Sequence, residues 1–171
     1  MSKRNLIIAV GFIMLATTWY AFRPELLFVN RTVNEDFPAA AQMASIEKGP
    51  MSITQGKFKS LAHETKGLAS IYRLPDGTRT LRFTEFETSN GPDVHVYLTT
   101  AEVEKGNDAV HQAGFIDLGS MKGNKGDQNY DIPANVDLSR YKTVSVWCAR
   151  FGVNFGIASL TGQQAAHAST M

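Results

Sequence analysis

The fold of this chain depends on the stretch TVSVWCARFGVNFG, residues 143–156. Val144, Val146 and Cys148 occupy alternate positions, which is typical of a strand with one buried face. Gly152 then interrupts the run before a second apolar stretch, so two core strands joined by a short turn are predicted. Cys148 is the only cysteine. No internal disulfide can form, and the hydrophobic core must hold the fold together.

The strand pattern extends over residues 53–160. Short β-branched and aromatic runs alternate there with turn residues, which predicts an all-β, antiparallel domain of the sandwich or jelly-roll-like kind. Leu81 and Phe83 share one face of their strand whereas Phe86 falls on the other, which predicts a bulge or a strand end near Glu85. The eight candidate strands lie in the runs GKFKSLA, LASIYRL, RTLRFTEF, DVHVYLTT, FIDLG, QNYDI, TVSVWCAR and VNFGIASL.

The composition excludes two classes of protein. Hydrophobic residues make up 43% of the chain and charged residues 19%, which are globular values and exclude a disordered protein. The net charge of +1 gives no basis for nucleic-acid binding through phosphate neutralisation. We also find no phosphate loop and no nucleophile elbow, so neither a hydrolase nor a transferase is indicated.

The amino-terminal residues 1–22 predict a membrane anchor. Lys3 and Arg4 precede an uncharged apolar stretch over residues 6–22, and a helix of this length spans about 26 Å, close to the roughly 30 Å of a bilayer core. No A-x-A-like site follows, which favours an uncleaved signal anchor over a cleaved secretory signal. We expect a single-pass transmembrane helix and an extracytoplasmic domain, periplasmic or at the cell surface.

Two segments flank the predicted domain. Residues 23–52 lack a sustained period and are punctuated by Pro24, Pro38 and Pro50, so we expect a tether. Residues 161–171 are small and polar, which is typical of a disordered tail.

Cys148 has two competing interpretations. Free cysteine is among the most buried residue types and packs as a small hydrophobe, which predicts a role in the core. Arg150, two positions further along the strand, would favour a reactive thiolate, and Trp147 would pack over it. Outside the cytoplasm an unpaired thiol is exposed to oxidants. Both interpretations stay open at this point.

His63 and His95 are the other candidate ligands. His95 is expected on the strand face opposite Val94 and Val96, beside Asp93 and Tyr97, and His63 follows the first strand. Together with Cys148, either histidine could form a nitrogen–sulfur site for copper or supply an axial ligand to haem. Nothing in the spacing shows that the three residues converge, so no metal site is predicted.

Four stretches resemble the DM-thirteen domain, an electron-transfer family of Skeletor-type animal proteins that also occurs in membrane-anchored bacterial proteins. The similarity covers about residues 56–160. It implies an all-β extracytoplasmic domain whose redox cysteine, acting as a bare thiol or as a haem ligand, corresponds to Cys148. Animal members carry DOMON and b-type cytochrome modules that are not seen here, so we expect a separate redox partner protein. The stretches are GKFKSLAHETKGLASIYRLPDGTRTLRF, FETSNGPDVHVYL, GFIDLGSMKGNKGDQNYDIP and VSVWCARFGVNFGIASL.

Two functions remain in competition. The first is a membrane-anchored, extracytoplasmic redox domain that transfers electrons through Cys148, with Arg150 and Trp147 beside it and with haem as one candidate cofactor. The second is a non-catalytic β-sandwich in which Cys148 is core packing. Loops on rigid scaffolds commonly carry binding residues. In the second function the turn residues 90–93 and the loop 123–131 would therefore contact a cell-surface or matrix partner.

Overall fold

The computed structural model describes residues 2–22, 29–38, 49–101 and 107–162. Within them the chain forms two helices and nine strands. The elements are α1 (Lys3–Phe22), β1 (Met51–Ser60), β2 (Lys66–Arg73), β3 (Arg79–Glu87), β4 (Val94–Thr99), α2 (Asn107–Ala113), β5 (Phe115–Ser120), β6 (Lys125–Ile132), β7 (Thr143–Cys148), β8 (Val153–Ser159) and β9 (Thr161–Gly162).

The amino-terminal apolar stretch forms a helix, as predicted. Its first turn holds Lys3, Arg4 and Asn5, which lower the mean hydropathy of α1. In the part of the chain that the structure describes, no helix is both long and apolar enough to cross a membrane. The transmembrane helix over residues 6–22 stays a prediction from the sequence.

The strands form one antiparallel sheet in the order β5-β4-β7-β8-β1-β2-β3-β6, and β9 pairs with β1. The first part of β1 pairs with β2, whereas its last residues, Phe58 to Ser60, pair with β8. The sheet thus turns a corner along β1, and its two end strands, β5 and β6, come into contact. This nearly closed barrel or sandwich confirms the predicted antiparallel all-β class. It differs from a jelly roll because the two halves are continuous through β1 instead of forming two separate sheets.

A bulge in β3 turns two phenylalanine rings into the core, where they meet Phe58 of β1. Glu85 has a φ of 50°, and the register between β3 and β6 shifts between Phe83 and Phe86. The extra residue turns both of these side chains inward, where their rings lie 4.8 Å apart and each packs against Phe58. The predicted bulge near Glu85 is confirmed.

A second, smaller apolar cluster lies on the outer face of the sheet. Tyr97 of β4 and Trp147 of β7 pack there with Ala101 and with Val110 of α2, and all four are buried. This side of β4 and β7 is therefore covered by α2. The strands consequently carry buried residues on both faces, as the unbroken burial of β7 shows.

Residues 31–36 lie alongside β6, inside the stretch for which a tether is predicted. Thr32 forms a parallel bridge with Lys125, and the Val33 N–H donates to the Lys125 carbonyl over 2.9 Å. Gly126 of β6 has a φ of 94°, and a Cβ at this position would overlap the Val33 carbonyl oxygen. The edge of β6 is thereby shaped to receive this segment, which fills hydrogen-bonding positions that an edge strand otherwise exposes.

Charged side chains also hold residues 31–36 against the sheet. The Glu35 carboxylate accepts two bonds from the Lys122 ammonium, at 2.9 and 3.0 Å, and one from the Asn129 N–H at 2.8 Å. The Arg82 guanidinium donates to the Glu35 carbonyl at 2.9 Å and lies 4.7 Å from the centre of the Phe37 ring. Partial burial opposes ionisation of Glu35, but the bonds from Lys122 and Asn129 outweigh it and lower the pKa of this carboxyl.

Candidate functional site

Cys148 is the last residue of β7 and lies on the inner face of the sheet. Its neighbours across the two adjacent strands are Val94 of β4 and Val153 of β8. The residue has 0% exposed surface and belongs to the main hydrophobic cluster, together with Val144 and Val146 of its own strand. Alternation along β7 explains this position, because all three residues face inward. The thiol is not accessible to a partner in this conformation.

Arg150 does not continue the Cys148 face of the strand. The strand ends at Cys148, and residues 149–152 form an exposed turn in which the Gly152 N–H donates to the Cys148 carbonyl over 2.9 Å. Gly152 has a φ of 63°, a left-handed conformation that glycine adopts without strain. The turn interrupts the strand alternation that the prediction for Arg150 relied on. Arg150 is close to Cys148 in sequence but projects at the surface of the turn.

Trp147 lies on the opposite side of the sheet from Cys148. Neighbouring residues of a strand point to opposite faces, and Trp147 belongs to the outer cluster with Tyr97 and Val110. The indole therefore covers the outer face of β7, and the expectation that it packs over the sulfur is not met. The two residues remain linked through one peptide unit.

His95 shares the outer face with Trp147, its partner across the β4–β7 pair. Its Nδ1 lies 2.8 Å from Asp117 Oδ2 and its Nε2 lies 3.2 Å from Asp93 Oδ1. Both ring nitrogens are thus engaged by carboxylates. The strand places His95 and Cys148 on opposite faces, so this histidine does not converge with the thiol.

His63 lies in the loop after β1, at the same end of the sheet as Cys148. Its ring centre is 3.9 Å from that of Phe155, which is part of the cluster that contains Cys148. Burial lowers the pKa of His63, which favours the neutral imidazole. His63 therefore packs against a ring of the core cluster that contains Cys148.

The site does not fit a haem or a metal ion. A haem thiolate needs the sulfur to face the iron across an open pocket, whereas Cys148 is enclosed by its strand neighbours. The cavities formed by described residues alone include three of about 220, 430 and 360 Å³, and Cys148 lines none of these three. Among the described residues, no group of three histidine, cysteine or acidic side chains is arranged to hold a metal.

The contact surface expected for a non-catalytic binding domain is partly occupied. The Asn90 side-chain amide donates to the Val29 carbonyl, and most of the stretch 123–131 forms β6, against which residues 31–36 pack. This surface is engaged within the chain itself. The backbone carbonyl of Asp93, just before β4, accepts a hydrogen bond from the Ala149 N–H at 2.8 Å and so holds the turn that follows Cys148.

Two residues near the site were not singled out from the sequence. Asp117 of β5 binds His95, and Tyr97 stacks between Phe115 and Trp147. Tyr97 was recognised only as a neighbour of His95. The alternation in FIDLG could have placed Asp117 on the outer face, but the pairing of β5 with β4 is not encoded in either strand alone.

Comparison with known proteins concerns the β domain. The family model described as Electron transfer DM13 matches residues 57–160, from the middle of β1 to the residue after β8. No curated protein and no solved structure matches the chain. The matched region covers more than half of the chain and includes Cys148 and every strand from β2 to β8. The chain therefore belongs to the electron transfer DM13 family.

Proposed function

We propose that this chain transfers electrons through Cys148, which acts as a bare thiol. The observation that carries the proposal is the position of the single cysteine of an electron-transfer domain, at the very end of β7 and next to an exposed turn. A purely structural cysteine could stand anywhere in the core. Here the strand ends at Cys148, and the exposed turn of residues 149–152 follows it directly.

The bare thiol fits the geometry better than a haem ligand does. Cys148 is fully buried, with Val94 and Val153 as its neighbours on the adjacent strands, and His95 lies on the opposite face of the sheet. A thiol needs only transient exposure to react, whereas a haem needs a permanent pocket. The thiol mechanism is therefore the one that the site supports.

Local opening of the turn would expose the sulfur. The hydrogen bonds that hold this end include Ala149 N–H to Asp93 and Gly152 N–H to Cys148. Phe151 and Arg150, within the turn, are exposed and lend it little packing. Segments with few buried contacts open at a free-energy cost well below that of global unfolding. In the open state Arg150 would favour the thiolate.

The exchange would involve two electrons and a partner disulfide. The Cys148 thiolate attacks one sulfur of the partner, forming a mixed disulfide and releasing the other sulfur as a thiolate. Because Cys148 is the only cysteine, attack by that released thiolate would only reverse the step. An external thiol must instead attack the Cys148 sulfur, which releases the partner as a dithiol, and a second equivalent of that thiol then frees Cys148 and forms an external disulfide. The partner is consequently a dithiol–disulfide protein or a small disulfide.

Thiol labelling of matched variants tests this proposal. Gly152→Ala places a side chain at φ 63° in the Cys148 turn, whereas Gly77→Ala places one at φ 86° in the distant β2–β3 turn. Each costs about 1–2 kcal/mol of local stability. We expect labelling of Cys148 in native buffer to become about 5- to 30-fold faster in Gly152→Ala and to change little in Gly77→Ala.

Two results would contradict the thiol mechanism. If all three proteins label only at their rate of global unfolding, Cys148 is core packing and the non-catalytic binding domain becomes the better interpretation. If the purified chain shows a haem Soret band that Cys148→Ala removes, the haem mechanism replaces the thiol one.

The membrane anchor and the extracytoplasmic location stay predictions from the sequence. The apolar side chains of α1 are exposed, with Ile7 at 72%, Phe12 at 70% and Leu15 at 70%. Such a helix requires a lipid or protein surface to cover it. Carbonate extraction of membranes from cells that express the full chain measures the anchoring, and recovery in the soluble fraction would reject it.

A further inference from the structure

We propose that Tyr97 is a second redox site, which gives up one electron on the face of the sheet opposite Cys148. The proposal rests on the proposed electron-transfer function, but its chemistry does not involve the Cys148 thiol. It follows from three features of the outer face of β4: a stack of aromatic rings, a group of proton acceptors, and a route to the surface.

The aromatic stack surrounds Tyr97 on two sides. The Phe115 ring lies nearly parallel to it at 15°, with centroids 4.3 Å apart, and the Trp147 ring lies at 25° with centroids 6.5 Å apart. Tyr97 and Trp147 are both almost fully buried. Stacked rings at these separations are in van der Waals contact or close to it. Burial also shields an electron-deficient ring from solvent.

Proton acceptors lie beside the phenol. The centre of the His95 ring lies 6.0 Å from that of the Tyr97 ring, and His95 bridges the Asp93 and Asp117 carboxylates. Burial, followed by the charges of Asp117 and Asp93, raises the pKa of Tyr97, so the phenol is protonated at rest. The same negative charges favour loss of an electron, because they stabilise the electron-deficient ring.

Oxidation of Tyr97 needs one acceptor for the electron and one for the proton. Tyr97 passes one electron to a one-electron oxidant, such as a ferric or cupric centre of a partner protein, and that centre is reduced. The phenolic proton moves to the Asp93–His95–Asp117 group, directly or through water. The product is a neutral tyrosyl radical, so no net charge is left on the buried ring.

Electron transfer from Tyr97 to a partner at the surface would pass through Phe115. Its ring is 36% exposed and lies directly over Tyr97. A partner that docks on β5 would therefore come within one ring thickness of the phenol. On the other side, the stacked Trp147 extends the aromatic path to the residue that precedes Cys148 in the chain.

Flash oxidation of the full chain tests the proposal. A photogenerated ruthenium polypyridyl oxidant is applied to the wild-type protein and to Tyr97→Phe, Tyr72→Phe and Cys148→Ala, and the radical is recorded by transient absorption and by electron paramagnetic resonance. Tyr72, which packs edge-on against Phe37, provides the matched control. We expect a long-lived tyrosyl radical in the wild type, its loss in Tyr97→Phe, and its retention in the other two variants.

A second variant tests the proton acceptor. Asp117→Asn removes one carboxylate while the phenol stays in place, and we expect radical formation to slow by about tenfold or more. The proposal is overturned if the radical persists in Tyr97→Phe, if Tyr72→Phe abolishes it, or if Asp117→Asn leaves its rate unchanged. Because retention in Cys148→Ala is measured separately, failure of the thiol mechanism would be distinguished from failure of the Tyr97 site.

Discussion

Gly126→Ala should detach residues 31–36 from the sheet. A Cβ at this position overlaps the Val33 carbonyl oxygen, and the backbone holds a φ of 94°. The left-handed backbone costs about 1–2 kcal/mol with alanine. Displacing the segment also breaks at least two backbone hydrogen bonds to β6, those of Val33 and Glu35, at about 0.5–1.5 kcal/mol each. We therefore expect the free energy of unfolding to fall by roughly 2–5 kcal/mol.

Gly77→Ala separates the two contributions. Gly77 has a φ of 86°, but a Cβ there meets nothing within 4 Å, so this variant is expected to lose only the backbone share of about 1–2 kcal/mol. Urea unfolding followed by circular dichroism measures both losses. Limited proteolysis provides a second readout, since residues 31–36 should become cleavable in Gly126→Ala and stay protected in Gly77→Ala.

Equal losses in the two glycine variants would refute the reasoning. That result would mean that the Val33 carbonyl moves aside without cost, and that the contact between the segment and β6 contributes nothing to stability. Protection of residues 31–36 from protease in Gly126→Ala would lead to the same conclusion.

Three other predictions concern Cys148, Glu35 and Tyr130. Cys148→Ser should lower the free energy of unfolding by about 1–3 kcal/mol in urea, because it buries a hydroxyl among valines, and an unchanged value would indicate an exposed site. The folded pKa of Glu35 is lowered from 4.5, so its contribution is present above pH 4.5 and lost as the pH falls through the folded value. The stability difference between wild type and Glu35→Gln should accordingly shrink in acid, and a constant difference would contradict the role of its bond to Lys122. Burial raises the pKa of Tyr130 well above 10. The stability that this phenol contributes is therefore present below pH 10 and is lost as the pH rises through the raised folded pKa. Ultraviolet titration should show no ionisation of Tyr130 near pH 10 in the folded chain, and ionisation there would contradict the prediction.

The strands were predictable because their signals are local. Alternation of Val144, Val146 and Cys148 correctly indicates one inward face, and the change of parity between Phe83 and Phe86 correctly indicates a bulge. The same alternation places Trp147 on the outer face, so its separation from the sulfur was already contained in the strand pattern.

The contacts between residues 31–36 and β6 were not predictable, since they join distant parts of the chain. The Arg31 N–H donates to Asn124, 93 residues away, and no periodic pattern marks residues 31–36 as strand-like. Parallel pairing with β6 depends instead on Gly126, where the absence of a Cβ leaves room for the Val33 carbonyl oxygen. This contact can be recognised only in the folded chain. Arg150 was misplaced for a related reason, because the turn conformation at Gly152 decides where the strand ends.

The long interval between residues 31–36 and β6 has a consequence for synthesis of the chain. A ribosome releases the segment first, and its docking site is completed only when β6 emerges, more than 90 residues later. Until then the segment has no partner. Once β6 has emerged, its edge stays open to pairing with neighbouring chains until the segment docks. Non-local pairings of this kind form slowly, so docking of the segment should be among the last folding events. The moment of greatest risk for misassembly thus falls between the emergence of β6 and the return of the amino-terminal segment to it.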